Sequence, residues 1–259
     1  MRICLLASGS KGNSIFVEAG AAKVLIDAGL SARELLFRLS AIGVEGKELD
    51  AILISHEHSD HVRGAGTLAR KLRIPLFASE PTRRAVGTAI GKTEMFEFES
   101  GSPFSFKDIV IDPFPTTHDA ADPVGFIVEC GEGRVGIATD LGIATRLVQE
   151  KLKGCRALVL ESNHDEEMLA NGPYPWPLKQ RIRSRHGHLS NNESAALLDE
   201  ILHPGLEAVF LAHLSEVNND PGIAFKTAEK SLTTSNICSP RLMVGDQYRV
   251  SDVVAVLQK

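Results

Sequence analysis

The chain is poor in aromatic residues, which make up 5% of its 259 positions, and it has one tryptophan and four cysteines. Cys4, Cys130, Cys155 and Cys238 lie far apart and form no CxxC pair, so they read as buried thiols in a reducing compartment. Basic excess is also missing. With a net charge of −5, nothing global advertises a polyanionic partner, and a nucleic acid would have to be held by a local basic patch and by metal ions. No apolar run approaches the length of a membrane span. After Met1-Arg2, the stretch Ile3-Cys4-Leu5-Leu6-Ala7 is too short for a signal peptide and reads as a first strand. The expected location is the cytoplasm, with no membrane partner. Short-period repeats and low-complexity linkers are absent, while 43% hydrophobic and 24% charged residues describe an ordinary globular protein able to bury a substantial core.

Against that plain background one stretch stands out, Ser55-His56-Glu57-His58-Ser59-Asp60-His61. It follows Leu49-Asp50-Ala51-Ile52-Leu53-Ile54, which reads as a buried strand. Residues two apart on a strand project together, so His56 and His58 share a face. A helix starting at the next turn would bring Asp60 and His61 back into the same space. Three imidazoles and a carboxylate converging on one point suit a borderline divalent cation such as zinc.

Other strands end in polar residues of the same kind. Lys23 to Ile26 ends on Asp27, which either sits at the rim of a site or caps the next helix, Ala32 to Ser40. Ile109-Val110-Ile111 leads to His118, the hairpin 125–129/134–138 ends on Asp140, and Ala157 to Leu160 ends on Glu161. Val209 to Ala212 ends on His213. Polar residues thus crowd one edge of a sheet, where open α/β folds place their sites. The loop Ser8-Gly9-Ser10-Lys11-Gly12-Asn13-Ser14 is either an anion-binding concavity or an ordinary glycine- and serine-rich turn. Helices are expected over Val62–Lys71, Glu80–Thr93, Glu193–Leu202 and Pro221–Leu232, and a rigid turn at Tyr174-Pro175-Trp176-Pro177. Lys179, Arg181, Arg183 and Arg185 are either a solvated surface or a border that holds phosphates. The two halves alternate strands and helices alike, which favours one pseudo-duplicated α/β sandwich domain over residues 1–259.

The order His56-x-His58-x-Asp60-His61, His118, Asp140, His213 resembles the metallo-β-lactamase superfamily, and the likeness runs from Asp27 to His213. It implies a four-layer αββα sandwich with the site at the rim where the two sheets meet. It also implies two divalent metal ions (zinc or manganese, with iron possible), one held by His56, His58 and His118, the other by Asp60, His61 and His213. Asp140 would bridge them, and a water between them would be the nucleophile. Asp27 would orient ligating histidines.

Aspartate at 60 followed by His61 resembles the phosphodiesterase and nuclease members of that superfamily. Glu161 with His188, in Gly187-His188-Leu189-Ser190, resembles the glutamate–histidine pair of the tRNase Z branch, so Asp60, Glu161 and His188 are assigned to catalysis. Only 72 residues separate Asp140 from His213, too few for a β-CASP insertion. Ser8-Gly9-Ser10-x-Gly12-Asn13-Ser14, Thr117-His118-Asp119-Ala120, Glu161-Ser162-Asn163-His164-Asp165 and Leu178-Lys179-x-Arg181-Ile182 are most similar to the YycJ/WalJ-like group. That group implies a 5′-to-3′ exonuclease acting on DNA in preference to RNA. Lys11 stands where serine is usual there and adds a phosphate-compatible charge. Ser8, Ser10, Asn13, Asn163, Lys179 and Arg181 become candidates for binding substrate, and His164 either braces the site or touches substrate. Competing readings are a hydrolase of small or cyclic phosphodiesters, an RNA-processing nuclease, a thioester or lactone hydrolase, and a non-catalytic metal module.

Overall fold

In the computed structural model, which describes residues 1–256, the chain forms two seven-stranded sheets. The first takes β1 (Arg2–Ala7), β2 (Ser14–Ala19), β3 (Ala22–Ile26), β4 (Ala51–Leu53), β5 (Leu76–Ser79) and β6 (Met95–Phe98). The second takes β7 (Phe104–Phe106), β8 (Ile109–Pro115), β9 (Val124–Cys130), β10 (Gly133–Ala138), β11 (Ala157–Glu161), β12 (Ala208–Ala212) and β13 (Arg241–Val244). A short β14 (Val254–Ala255) returns to pair with β1. Helices α1 (Ala32–Ala41), α2 (Ser59–Val62), α3 (Ala65–Leu72) and α4 (Glu80–Val86) accompany the first sheet. Helices α5 (Arg146–Leu152), α6 (Glu166–Asn171), α7 (Trp176–Ile182), α8 (Asn191–Ile201) and α9 (Pro221–Ser235) accompany the second. None of the described helices is long and apolar enough to cross a membrane.

The sheets have matching designs. In the order β14-β1-β2-β3-β4-β5-β6 the pairs up to β3 are antiparallel and those beyond it parallel. In β7-β8-β9-β10-β11-β12-β13 the change comes at β10. Three apolar clusters follow. One lies between the sheets, with Leu5, Val17, Val24, Phe126, Val159 and Phe210. A second joins the first sheet to α1 and α3 through Leu25, Ile52, Leu35, Leu39 and Leu68, and a third joins the second sheet to α5, α8 and α9. Strands buried on both faces explain the unbroken runs Ile3–Ala7 and Ala157–Leu160, since each alternate side chain enters a different cluster. The expected αββα layering is present.

Some local expectations fail, each for a steric reason. The helix expected over Val62–Lys71 is two helices, α2 and α3, because the chain following β3 presses into the break. A Cβ on Gly64 would lie 1.9 Å from the Leu30 carbonyl oxygen, and one on Gly29 would lie 1.6 Å from that of Asp60. The helix expected over Glu80–Thr93 loses α-geometry after Val86, where Gly87 takes φ +53°. The rigid turn expected at Tyr174–Pro177 covers the start of α7, with Pro175 as its N-cap and Pro177 in its first turn, where a missing N–H costs nothing.

Candidate metal centre

Parallel register delivers the polar residues to one rim. Ile26 pairs with Leu53, and just past that pair Asp27, one step on, meets Ser55, two steps on: Asp27 Oδ1 accepts from Ser55 N (2.8 Å). Glu161 pairs with Ala212, which places His213 one step beyond it. Asp27, Asp140 and His213 each take a left-handed backbone (φ 62°, 55° and 57°), turning the chain sharply at a strand's carboxyl end. Such a conformation costs a non-glycine residue about 1 kcal/mol, and it occurs at three residues of this rim.

Hydrogen bonds fix which ring nitrogens carry protons. Ser55 Oγ donates to Asp27 Oδ2 (2.7 Å), so it accepts from His56 Nδ1 (3.0 Å), and His56 Nε2 is left as a bare lone pair. His118 Nδ1 donates to the Gly187 carbonyl (3.1 Å), which bares His118 Nε2. Both bare nitrogens face His58 Nδ1, at 3.1 and 3.3 Å. One proton on His58 can satisfy only one of them. Burial first, and the neighbouring histidine His61 next, hold His56 well below its usual range; burial also lowers His118. Three imidazoles converging in this way, two of them with bare nitrogens, fit a cation.

Beside them His61 Nδ1 donates to Asp27 Oδ2 (2.7 Å), directing His61 Nε2 toward Asp60 Oδ2 (3.4 Å) and Asp140 Oδ2 (3.3 Å). His213 Nε2 lies 3.6 Å from Asp60 Oδ2, and Asp140 Oδ1 lies 3.7 Å from His118 Nε2. Asp140 Oδ2 and His213 Nε2 are buried and make no hydrogen bond. Burial opposes charge on Asp60 and Asp140, yet His61 and His213 hold both carboxyls below their usual range. Burial opposes charge on His61 and His213 too, yet Asp140 and Asp27 raise His61, and Asp140, Asp60 and Glu161 raise His213, each well above its usual range. The pocket therefore calls for positive charge. Ligand atoms within each of the sets His56/His58/His118, His56/His61/Asp140 and Asp60/His61/His213 lie within 4.8 Å of one another. The residues present fit metal ions.

Glu161 is a hub. Fully buried, its Oε1 accepts from His188 Nδ1 (2.8 Å) and His213 Nδ1 (2.9 Å), while Oε2 accepts from the amides of Leu141 (2.9 Å) and Leu189 (3.1 Å). Burial opposes its ionisation, but the two histidines bring its carboxyl down to about 2. The turn carrying His188 is held from the far side by α8, where Ser190 and Glu193 form a capping box.

A cavity of about 290 Å³ opens onto these groups, lined among others by His58, Asp60, His118, Asp140, His188 and His213. Ser10, Asn163 and Arg181 also line it. Arg181 forms an ion pair with Asp119, Nε to Oδ2 2.6 Å. Lys179 is not among the lining residues; its ammonium donates to the Ala170 carbonyl (2.7 Å). Ser8 and Asn13 serve the frame. Ser8 Oγ accepts from His213 N (2.6 Å), and Asn13 Nδ2 donates to Asp60 Oδ2 (3.1 Å). Amides of the 8–14 loop are mostly committed: Gly9 to Asn13 Oδ1, Lys11 to Gln247 Oε1, Gly12 to the Gly9 carbonyl, Asn13 to the Asp60 carbonyl. Lys11 itself is occupied by Glu216 (2.6 Å). His164 is buried away from the cavity lining, its strand-like backbone bridged to Ser190.

Two participants were not singled out from sequence. Ser55 ties Asp27 to His56, and the Gly187 carbonyl sets the tautomer of His118. Ser55 stands directly before the histidine stretch, which was a usable signal; a backbone carbonyl 69 positions away from its histidine leaves none.

A family profile described as a β-lactamase superfamily domain matches residues 22–213. The chain is 35% identical over 257 residues to exodeoxyribonuclease YycJ of Bacillus anthracis, covering 97% of this chain and 95% of that one. It is 37% identical over 253 residues to exodeoxyribonuclease WalJ of Streptococcus pneumoniae, covering 96% and 92%. This chain belongs to the metallo-β-lactamase superfamily. The solved metallo-β-lactamase fold protein YhfI of Bacillus subtilis superposes with a TM-score of 0.72 at 17% identity, covering 96% of this chain and 98% of that one. The superfamily's fold is thus present along the described chain, and the chain is an enzyme, a hydrolase of this superfamily.

Proposed function

We propose that the protein is a two-metal phosphodiesterase that degrades DNA from its 5′ end. His56, His58 and His118 would hold one ion, Asp60, His61 and His213 the other, with Asp140 between them. Ions bound there supply an activated water and neutralise charge developing on the phosphate's non-bridging oxygens. Asp27 and Ser55 fix the orientation of His61 and His56. Glu161 accepts the hydrogen bond from His188 Nδ1 and so directs the opposite ring nitrogen, Nε2, to the substrate; with a second proton taken from solvent on Nε2, the ring delivers that proton to the leaving oxygen and returns to its neutral form. Ser10 and Arg181 offer donors to the phosphate from the cavity wall, while Asn163, which also lines it, braces the His213 carbonyl through Nδ2 (2.9 Å). Oxygen and nitrogen donors suit zinc, manganese or iron alike. We place the enzyme in the cytoplasm as one domain.

The single observation that carries this reading is the Glu161–His188 pair. It stands beside the ligand set without being needed to complete it, as a proton donor for a leaving alkoxide requires. The similarity to the two exodeoxyribonucleases supports DNA as substrate. The test uses 5′- and 3′-labelled DNA and RNA duplexes with each metal in turn, beside an Asp140→Asn control. Release of nucleotides beginning at phosphorylated 5′ ends of DNA is expected. Release from 3′ ends, or faster cleavage of RNA, overturns the polarity or the sugar preference.

A cavity of about 290 Å³ is small for a ligand site, which favours a second reading, hydrolysis of small or cyclic phosphodiesters. Progressive degradation of a chain from a 5′ phosphate excludes it.

A further inference from the structure

The cavity has two kinds of wall. One is the polar cluster of His58, Asp60, His118, Asp140 and His213; the other comes from a single segment and presents Tyr174, Leu178 and Ile182 beside Arg181. Positions 178, 181 and 182 fall on one face of α7, so the helix sets two apolar side chains and a guanidinium toward the same space. Tyr174 precedes the helix and is half-buried, and its hydroxyl makes no hydrogen bond with any described residue. An aromatic ring in a cleft with an idle hydroxyl is not explained by packing or by polar anchoring.

The segment is also stiff. Tyr174 stands between Pro173 and Pro175, each with its φ fixed, and Pro175 caps α7. On the other side Gly172 packs so closely on the fully buried Asn218 that a Cβ there would lie 2.5 Å from its Oδ1. A ring held in this way gives up little further freedom on binding. The small cavity leaves space for one end group and not for a stretch of chain, and Arg181 on the same wall supplies a phosphate partner.

We propose that Tyr174, with Leu178 and Ile182, is the stacking platform for the nucleobase of the terminal nucleotide, and that it makes the site favour chain ends. This rests on the nuclease reading above. Every base has a π-face, so the platform accepts all four, while the small volume of the cavity restricts it to a base free to leave its neighbours. Arg181 then binds the phosphate of the same nucleotide, exchanging its ion pair with Asp119 for that contact.

The test places 2-aminopurine at the 5′ terminus of a phosphorylated DNA duplex and binds it to the full chain carrying Asp140→Asn, which prevents turnover. Anisotropy reports binding, and quenching of the 2-aminopurine reports stacking. Quenching is expected at the terminal position and not at an internal one. It should be retained with an added Tyr174→Phe and lost with Tyr174→Leu, which keeps apolar bulk without the ring. In steady state, Tyr174→Ala should raise KM about tenfold, and that gap should close on an abasic 5′ end. Tight binding without terminal quenching, or quenching that survives Tyr174→Leu, overturns the platform and leaves the nuclease reading standing. No binding of DNA by the wild-type chain overturns both.

Discussion

His188 donates from Nδ1 to Glu161 Oε1 across 2.8 Å, and the same oxygen accepts from the metal-ligand candidate His213. One carboxylate therefore sets the orientation of a proton donor and of a ligand together. His188→Ala should slow DNA cleavage by about a hundredfold, the lower end of what a positioned acid contributes. Metal content, measured on the purified variant, should stay near wild type. Loss of metal would instead make His188 a ligand, joined with Asp140, Glu161 and His213, whose atoms also lie close enough to share an ion.

Asp27 touches no other candidate ligand than His61, yet it accepts from the Ser55 amide, the Ser55 hydroxyl and His61 Nδ1. Removing it unlocks the tautomers of His61 and, through Ser55, of His56. Asp27→Ala should weaken metal binding by roughly 10- to 100-fold in competition with a chromophoric chelator. Ser55→Ala should give a smaller loss of the same sign. Wild-type affinity in Asp27→Ala would show that the carboxylate only caps the turn.

Gly29 and Gly64 hold the strand–helix crossing behind the ligands. Gly29→Ala would drive a methyl into the Asp60 carbonyl, and backbone has no rotamer with which to yield. We expect a loss of about 3 kcal/mol in denaturant unfolding, at the upper range of overpacking, together with reduced metal binding because Asp60 shifts. Unchanged stability would mean that the crossing is looser than drawn.

Cys155 is fully buried, and burial pushes its thiol from 9.0 up to about 12. The folded chain keeps this proton to about pH 12 while the unfolded chain releases it near 9, so between those values the folded state binds more protons and stability falls as pH rises. Cys155 should resist iodoacetamide in the native protein at pH 8 and react after unfolding, as peptide mass mapping would show. Fast native alkylation would contradict its burial.

How much of this could be read from the chain alone depended on locality. His56, His58, Asp60 and His61 lie on consecutive turns of backbone, so their convergence follows from strand and helix periods. The strand ends suggested that His118, Asp140 and His213 share one edge, but sorting them into ligand sets needed the family resemblance, because only sheet register aligns them. Ser8 and Asn13 read as candidates for substrate because a polar loop beside a site looks the same in sequence whether its donors face outward or brace the ligands; here they brace His213 and Asp60. Lys179 and Arg181 sit two apart and looked equivalent, but helical α7 points them to different neighbours, Ala170 and Asp119. The Val62–Lys71 helix failed because its break depends on contact with Leu30, more than thirty positions earlier.

The central claim is that these side chains grip two cations in one pocket. Metal-free chain should be titrated with zinc or manganese while bound metal per chain and cleavage of 5′-phosphorylated DNA are followed together. Two equivalents should bind, activity should rise with them, and His118→Ala and His213→Ala should each fail to reach two. Saturation at one equivalent or none with full activity, or two equivalents retained in both variants, would contradict the account.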